Sequence, residues 1–163
     1  MSCSRVTNVV IAGLGGQGVL RASDILADVA FAAGLDVKKS EVHGMSQRGG
    51  SVASDVRFGE HVYSPMVPEG EADYLVVVSS DQVPVNRHIL KSSGTLIEPG
   101  QFNLEHLRNK KSVNVALLGA LSRHLEFSGD VWMEALRRNF PEKLLQPNID
   151  AFHLGSRAES SPE

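Results

Sequence analysis

The chain has 163 residues, of which 42% are apolar and 21% charged, a globular balance that excludes collagen-like, disordered and disulfide-scaffold classes. One domain is expected at this length, spanning residues 1–155 and burying roughly 70% of the surface its unfolded form would expose. Sixteen Lys and Arg against nineteen Asp and Glu leave a formal charge of −3, so no global positive field draws the chain to nucleic acid.

No apolar run approaches the ~18 residues of a membrane span, and the stretch Val9 to Leu14 is too short and glycine-broken for a secretory segment, so a cytoplasmic protein is expected. The single cysteine, Cys3, can neither form an internal disulfide nor by itself hold an iron–sulfur cluster or a structural zinc. It reads as a surface thiol.

Asn8 to Gly13 is a continuous apolar run ending in glycine, which predicts a strand buried on both faces. Apolar residues from Val19 to Ala33 recur at helical spacing, and Gly34 supplies a stop. Leu35 to Val42 is a second strand, so the first third reads as a Rossmann-like βαβ unit with parallel strands. Ser51 to Phe58 and His61 to Val67 read as two strands joined in a hairpin at Gly59-Glu60, which makes the sheet mixed but mainly parallel. Tyr74 to Val78 predicts a strand, Val83 to Lys91 a short helix and Gly94 to Glu98 the next strand.

The last third is helical: Val113 to Leu125, then Val131 to Asn139 capped by Asp130, then a final helix opened by Pro141 and kinked or divided at Pro147. Residues 156–163 have no apolar face and read as a disordered tail. The fold class expected is α/β, a three-layer α/β/α arrangement.

Gly13-Leu14-Gly15-Gly16-Gln17-Gly18 matches GxGxxG at Gly13, Gly15 and Gly18, in the strand-to-helix context that the pattern requires. Glycines allow a tight turn and aim unpaired amides at a helix N-terminus, where an anion is the natural guest. The alternative is that they only permit close packing of helix on strand. Glu41, about 20 residues on, leaves a nicotinamide-dinucleotide reading open. A second loop, His43 to Ser51, should emerge at the same sheet edge. There Arg48 offers a fixed planar charge, and Ser46, Gln47 and the amides around Gly49 and Gly50 offer neutral donors.

These residues carry a family resemblance. GLGGQG at Gly13 to Gly18, EVHGMSQRGGSV at Glu41 to Val52, Val56-Arg57-Phe58-Gly59, Tyr63-Ser64-Pro65, Ala72-Asp73, NVALLGAL from Asn114 to Leu121 and Val131 to Leu136 occur in order over nearly the whole chain. The sequence resembles the gamma subunit or domain of the thiamine-diphosphate-dependent 2-oxoacid:ferredoxin oxidoreductases, most closely the indolepyruvate type.

The resemblance implies a subunit that is inactive alone, in an enzyme that oxidatively decarboxylates a 2-oxoacid such as indolepyruvate or pyruvate. Thiamine diphosphate, magnesium and iron–sulfur clusters would sit on the companion chain. Coenzyme A would be the acyl acceptor, and ferredoxin would be reached through the complex. The family's two loops map onto Gly13, Gly15, Gly16, Gln17 and Gly18, and onto Ser46, Gln47, Arg48, Gly49 and Gly50. Whether the isolated chain forms a homodimer stays open in the sequence.

Neither a nucleophile elbow nor a metal site is expected, since His43, His61, His88, His106, His124 and His153 show no paired ligand spacing. The small residues Ala116, Gly119 and Ala120 predict tight helix packing. Two other readings remain at this point: a stand-alone NAD(P)-dependent oxidoreductase using Glu41, and a nucleotide- or coenzyme A-binding module without chemistry.

Overall fold

A computed structural model describes residues 5–43 and 49–158. The sheet contains β1 (Thr7–Leu14), β2 (Asp36–His43), β3 (Ser51–Gly59), β4 (Ala72–Val77) and β5 (Leu90–Ile97), in the order β2-β3-β1-β4-β5. β1 pairs parallel with β4, and β4 with β5, whereas β3 is antiparallel to both β1 and β2. Four strands therefore point one way and β3 alone opposes them, giving the mixed, mainly parallel sheet expected.

β1 is apolar at consecutive positions because it lies at the centre with both faces covered. Val9 and Ile11 meet α1 (Val19–Ala32) and α3 (Val113–Ser122), behind which stand α4 (Gly129–Asn139) and α5 (Glu142–Arg157). Val10 and Ala12 turn to the other side, toward Val67, Leu75 and Val77. Among the described residues that side is covered by α2 (Val83–Asn86), the 3-10 turns flanking it and the irregular segment 60–71, a thin second layer.

α3 is apolar all round because it is enclosed, with Asn114 to Leu121 buried without a break. It meets α5 at two glycines, confirming the tight packing expected. A Cβ on Gly119 would lie 2.0 Å from the Phe152 carbonyl oxygen, and one on Gly155 would lie 1.7 Å from that of Ala116. α4 is clasped to α1 by the Arg138 guanidinium, which straddles the Asp28 carboxylate at 2.9 Å, and by Asn139 Nδ2 at 3.1 Å.

Several expectations are corrected. β1 and β2 run parallel but are not neighbours, because β3 lies between them. No hairpin forms at Gly59-Glu60. Both edges of β3 are already paired along their whole length, so His61 to Val67 has no free edge to join. The short helix ends at Asn86, and β5 begins at Leu90 rather than Gly94. α3 stops at Ser122, and Ser128 rather than Asp130 caps α4, its hydroxyl accepting from the Val131 amide.

Pro147 does not divide α5, which runs unbroken from Glu142 to Arg157, two residues past the expected domain end. The Asn148 side chain donates to the Leu144 carbonyl oxygen at 2.8 Å within that turn. The expected tail beyond residue 158 lies outside the described residues, as does Cys3.

Candidate functional site

β1 ends in the glycine loop at one edge of the sheet, and the start of β3 and the end of β4 reach the same edge. Leu14 lies opposite Ser51, and the Val78 amide donates to the Ala12 carbonyl oxygen at 2.8 Å. The connection after β1 leads to β2 on one side of the sheet and that after β4 leads to β5 on the other, so these two parallel neighbours form the switch at which open α/β sheets place ligands. The two predicted loops do meet there: the Gly15 amide donates to the Gly50 carbonyl oxygen at 2.9 Å, and a Cβ on Gly15 would lie 3.4 Å from the Gly49 nitrogen.

Each glycine of the loop has its own reason. Gly18, at φ +81°, is the N-cap of α1 and forms no side-chain cap. A Cβ on it would lie 2.4 Å from Asn114 Nδ2. Gly16 also has positive φ, +86°, and no atom of the described residues lies within 4 Å of its Cβ position. Gly13 packs: a Cβ there would meet Gln17 Oε1 at 2.9 Å and Val19 Cγ2 at 3.0 Å.

Gln17 serves the loop itself, because its Oε1 accepts from the Leu14 amide at 2.8 Å and its own amide donates back to the Leu14 carbonyl oxygen at 3.2 Å. These bonds leave the amides of Gly16, Gly18 and the first turn of α1 without a backbone partner among the described residues. The loop is thus a self-braced turn that presents unpaired donors at the positive end of a 14-residue helix.

Two supports escaped the sequence reading. Asn114, 5% exposed, donates from Nδ2 to the Gly18 carbonyl oxygen at 3.0 Å and ties the loop to α3. Gln82, 9% exposed, accepts from the Ser51 hydroxyl at 2.9 Å and ties the turn after β4 to the start of β3. The signal for Asn114 was present, as it is the only polar side chain between Val113 and Leu121. Ser46, Gln47 and Arg48 lie outside the described residues, while Gly49, at φ +66°, and Gly50 lie against the glycine loop.

The fold also bears on the dinucleotide reading. Glu41 stands on β2, two strands away from β1, and its carboxylate lies 3.3 Å from Lys39 Nζ. A ribose contact from Glu41 would need β2 beside β1, where β3 stands instead. No group of three or more potential metal ligands occurs among the described residues. No helix among them is long and apolar enough to cross a membrane.

Comparison with known proteins gives the family. A family model described as pyruvate ferredoxin/flavodoxin oxidoreductase matches residues 8–103. The chain belongs to this family. The indolepyruvate oxidoreductase subunit IorB of Thermococcus kodakarensis is 38% identical over 93% of this chain and 95% of its own.

Among solved structures, the gamma subunit of a keto/oxoacid ferredoxin oxidoreductase from Geobacter sulfurreducens shares the fold, with a TM-score of 0.76, 19% identity, and 95% and 99% of the two chains covered. A 2-oxoglutarate:ferredoxin oxidoreductase from Magnetococcus marinus also shares it, with a TM-score of 0.80 and 22% identity over 93% of this chain but only 30% of that one. The oxidoreductase-family fold thus occurs both as a separate chain and as one part of a longer one.

Proposed function

We propose that this chain is the gamma-type subunit of a thiamine-diphosphate-dependent 2-oxoacid:ferredoxin oxidoreductase of the indolepyruvate branch, inactive alone and completed by a companion subunit. The observation that carries this reading is the joining of the two loops at Gly15 and Gly50 into one donor-lined edge, in a chain 38% identical to an indolepyruvate oxidoreductase subunit. With one cysteine, Cys3, the chain cannot ligate an iron–sulfur cluster by itself. The family resemblance implies that the clusters, thiamine diphosphate and magnesium belong to the companion, and that ferredoxin is reached through the complex.

Thiamine diphosphate, when bound there, supplies the electron sink for decarboxylation of the 2-oxoacid. This chain's part is to bind and orient an anion. The amides of Gly16, Gly18 and the first turn of α1 favour a phosphate of coenzyme A or the substrate carboxylate, and the glycines allow it to approach the backbone. Gly49 and Gly50 lie against that loop, and the family resemblance assigns Ser46, Gln47 and Arg48 to the same ligand-binding role. The fit rests on amides without a backbone partner and on the space at Gly16 among the described residues. The Magnetococcus marinus neighbour is described with 2-oxoglutarate, coenzyme A and succinyl-CoA bound, a ligand set of the same anionic class.

The test is steady-state kinetics of the complex purified with its companion, for the wild type and Arg48→Ala. The variant should raise the apparent KM for coenzyme A or the 2-oxoacid while the complex stays intact. Unchanged kinetics in an intact complex would remove the anion role. A chain that purifies alone and colourless from cells expressing both subunits would remove the subunit reading.

A further inference from the structure

Among the described residues, four of the six large apolar side chains that stand exposed, Val42, Tyr63, Met66 and Val85, belong to the thin side of the sheet. Val42 is on the same face of β2 as its partner Ala53 is on β3, Tyr63 and Met66 lie on the segment 60–71, and Val85 is on α2. Tyr63 is 92% exposed and Met66 58%.

Side chains of the sheet hold that segment in place. Asp36 accepts from the Val62 amide and Asp55 from the Val67 amide, each at 2.8 Å. Arg57 donates to the Ser64 carbonyl oxygen at 2.8 Å and to that of Met66 at 3.3 Å. Burial of Val62 and Val67 anchors both flanks of the Tyr63-Ser64-Pro65-Met66 tip. A braced segment that lifts an aromatic ring and a thioether into water gains nothing for folding, and Tyr and Met are residue types enriched at interface cores.

The chemistry of the segment describes its occupant. Residues 60–71 contain Glu60, Glu69 and Glu71 and no Lys or Arg, around a neutral tip. A second copy meeting this face across a two-fold axis would set glutamate against glutamate. The fitting partner is an apolar recess with a basic rim. The fold forms 30% of one polypeptide in the Magnetococcus marinus chain and 95% of the separate IorB subunit, and a companion subunit of the kind proposed above has to meet this chain across an interface. We propose that the thin face, led by Tyr63 and Met66, is the surface that seats this chain on its companion subunit. This rests on the function proposed above.

The experiment titrates the purified companion subunit with the wild-type chain, with Tyr63→Ala, with Met66→Ala and with Phe31→Ala. Phe31 is 74% exposed on α1, on the opposite side of the sheet, and serves as control. Circular dichroism and melting of the free variants confirm the fold. Tyr63→Ala should weaken association by about 30-fold, as expected of a central aromatic anchor, and Met66→Ala by less, with Phe31→Ala unchanged. Wild-type affinity in both Tyr63→Ala and Met66→Ala would overturn the assignment, as would a Tyr63→Ala that abolishes only self-association of this chain. No association of the wild-type chain would bring down the subunit reading and the surface with it, a result distinct from the other two.

Discussion

Substituting Gly18 by alanine separates two roles of the glycine loop. The backbone there sits at φ +81°, a left-handed conformation that costs a residue with a Cβ about 1–2 kcal/mol. The new methyl would also lie 2.4 Å from Asn114 Nδ2, which must move and give up its 3.0 Å bond to the Gly18 carbonyl oxygen. Asn114 is 5% exposed, so an amide left without its partner adds about 1–3 kcal/mol. Together these make about 2–5 kcal/mol.

Gly16 supplies the internal control, since its φ of +86° is equally unfavourable but no atom of the described residues stands within 4 Å of its Cβ position. Gly16→Ala should therefore show only the backbone cost of about 1–2 kcal/mol. Urea unfolding of the two variants, followed by circular dichroism, gives the difference directly. Asn114→Ala in the Gly18→Ala background should cost less than it does in the wild type, because the bond is already broken and the clash is relieved. Equal destabilisation by Gly16→Ala and Gly18→Ala, with additive Asn114→Ala, would refute the clamp.

Gly155→Ala places a methyl 1.7 Å from the Ala116 carbonyl oxygen and must part α3 from α5, so a loss of about 3 kcal/mol or more is expected in the same unfolding assay. Burial is the larger influence on Asp55 and raises its carboxyl above the ordinary range against the opposing Val67 amide and Arg57. Its contribution to stability is thus full below the unfolded pKa and lost as pH rises through the folded one. Asp55→Asn keeps an acceptor for the Val67 amide and removes the charge, and should melt higher than wild type at pH 7. His124 is lowered, first by desolvation and then by Arg123, so the unfolded chain takes up its proton first. Melting temperature should fall as pH drops below about 6.5, and this slope should flatten in His124→Gln; an unchanged slope would rule out the role of His124.

How far these features could be read in advance depended on their range along the chain. The apolar run of β1, the glycine loop and the amphipathic α1 are local patterns, and each forms within two residues of its predicted bounds. Strand order is not local. A strand, helix, strand succession is equally compatible with β2 beside β1 or with a third strand between them, and only the eight-residue pairings of β3 on both edges decide it.

The segment His61 to Val67 imitates a strand because Val62 and Val67 are apolar. What decides its fate is the direction of Asp36, Asp55 and Arg57, which stand on one face of β2 and β3 and satisfy its backbone groups. At the start of α4, Ser128 and Asp130 are both capping types. Ser128 prevails because its hydroxyl reaches the Val131 amide, while Asp130 falls into the first turn, where its charge still favours the helix dipole.

The family match ends at residue 103, yet the site does not. Asn114, eleven residues later, carries the bond that holds the Gly18 carbonyl oxygen, and it can do so only because α3 is fixed against the sheet. α3 in turn lies against α5 at separations that only Gly119 and Gly155 permit. Packing of the last helix is therefore part of what shapes the glycine loop, although α5 contributes no side chain to it. One side of the sheet is given over to this support and is thickly covered, whereas the other keeps a thin layer and an exposed aromatic tip. Rigid support of a turn and an exposed surface can be divided between the two faces of one sheet, because side chains alternate along every strand.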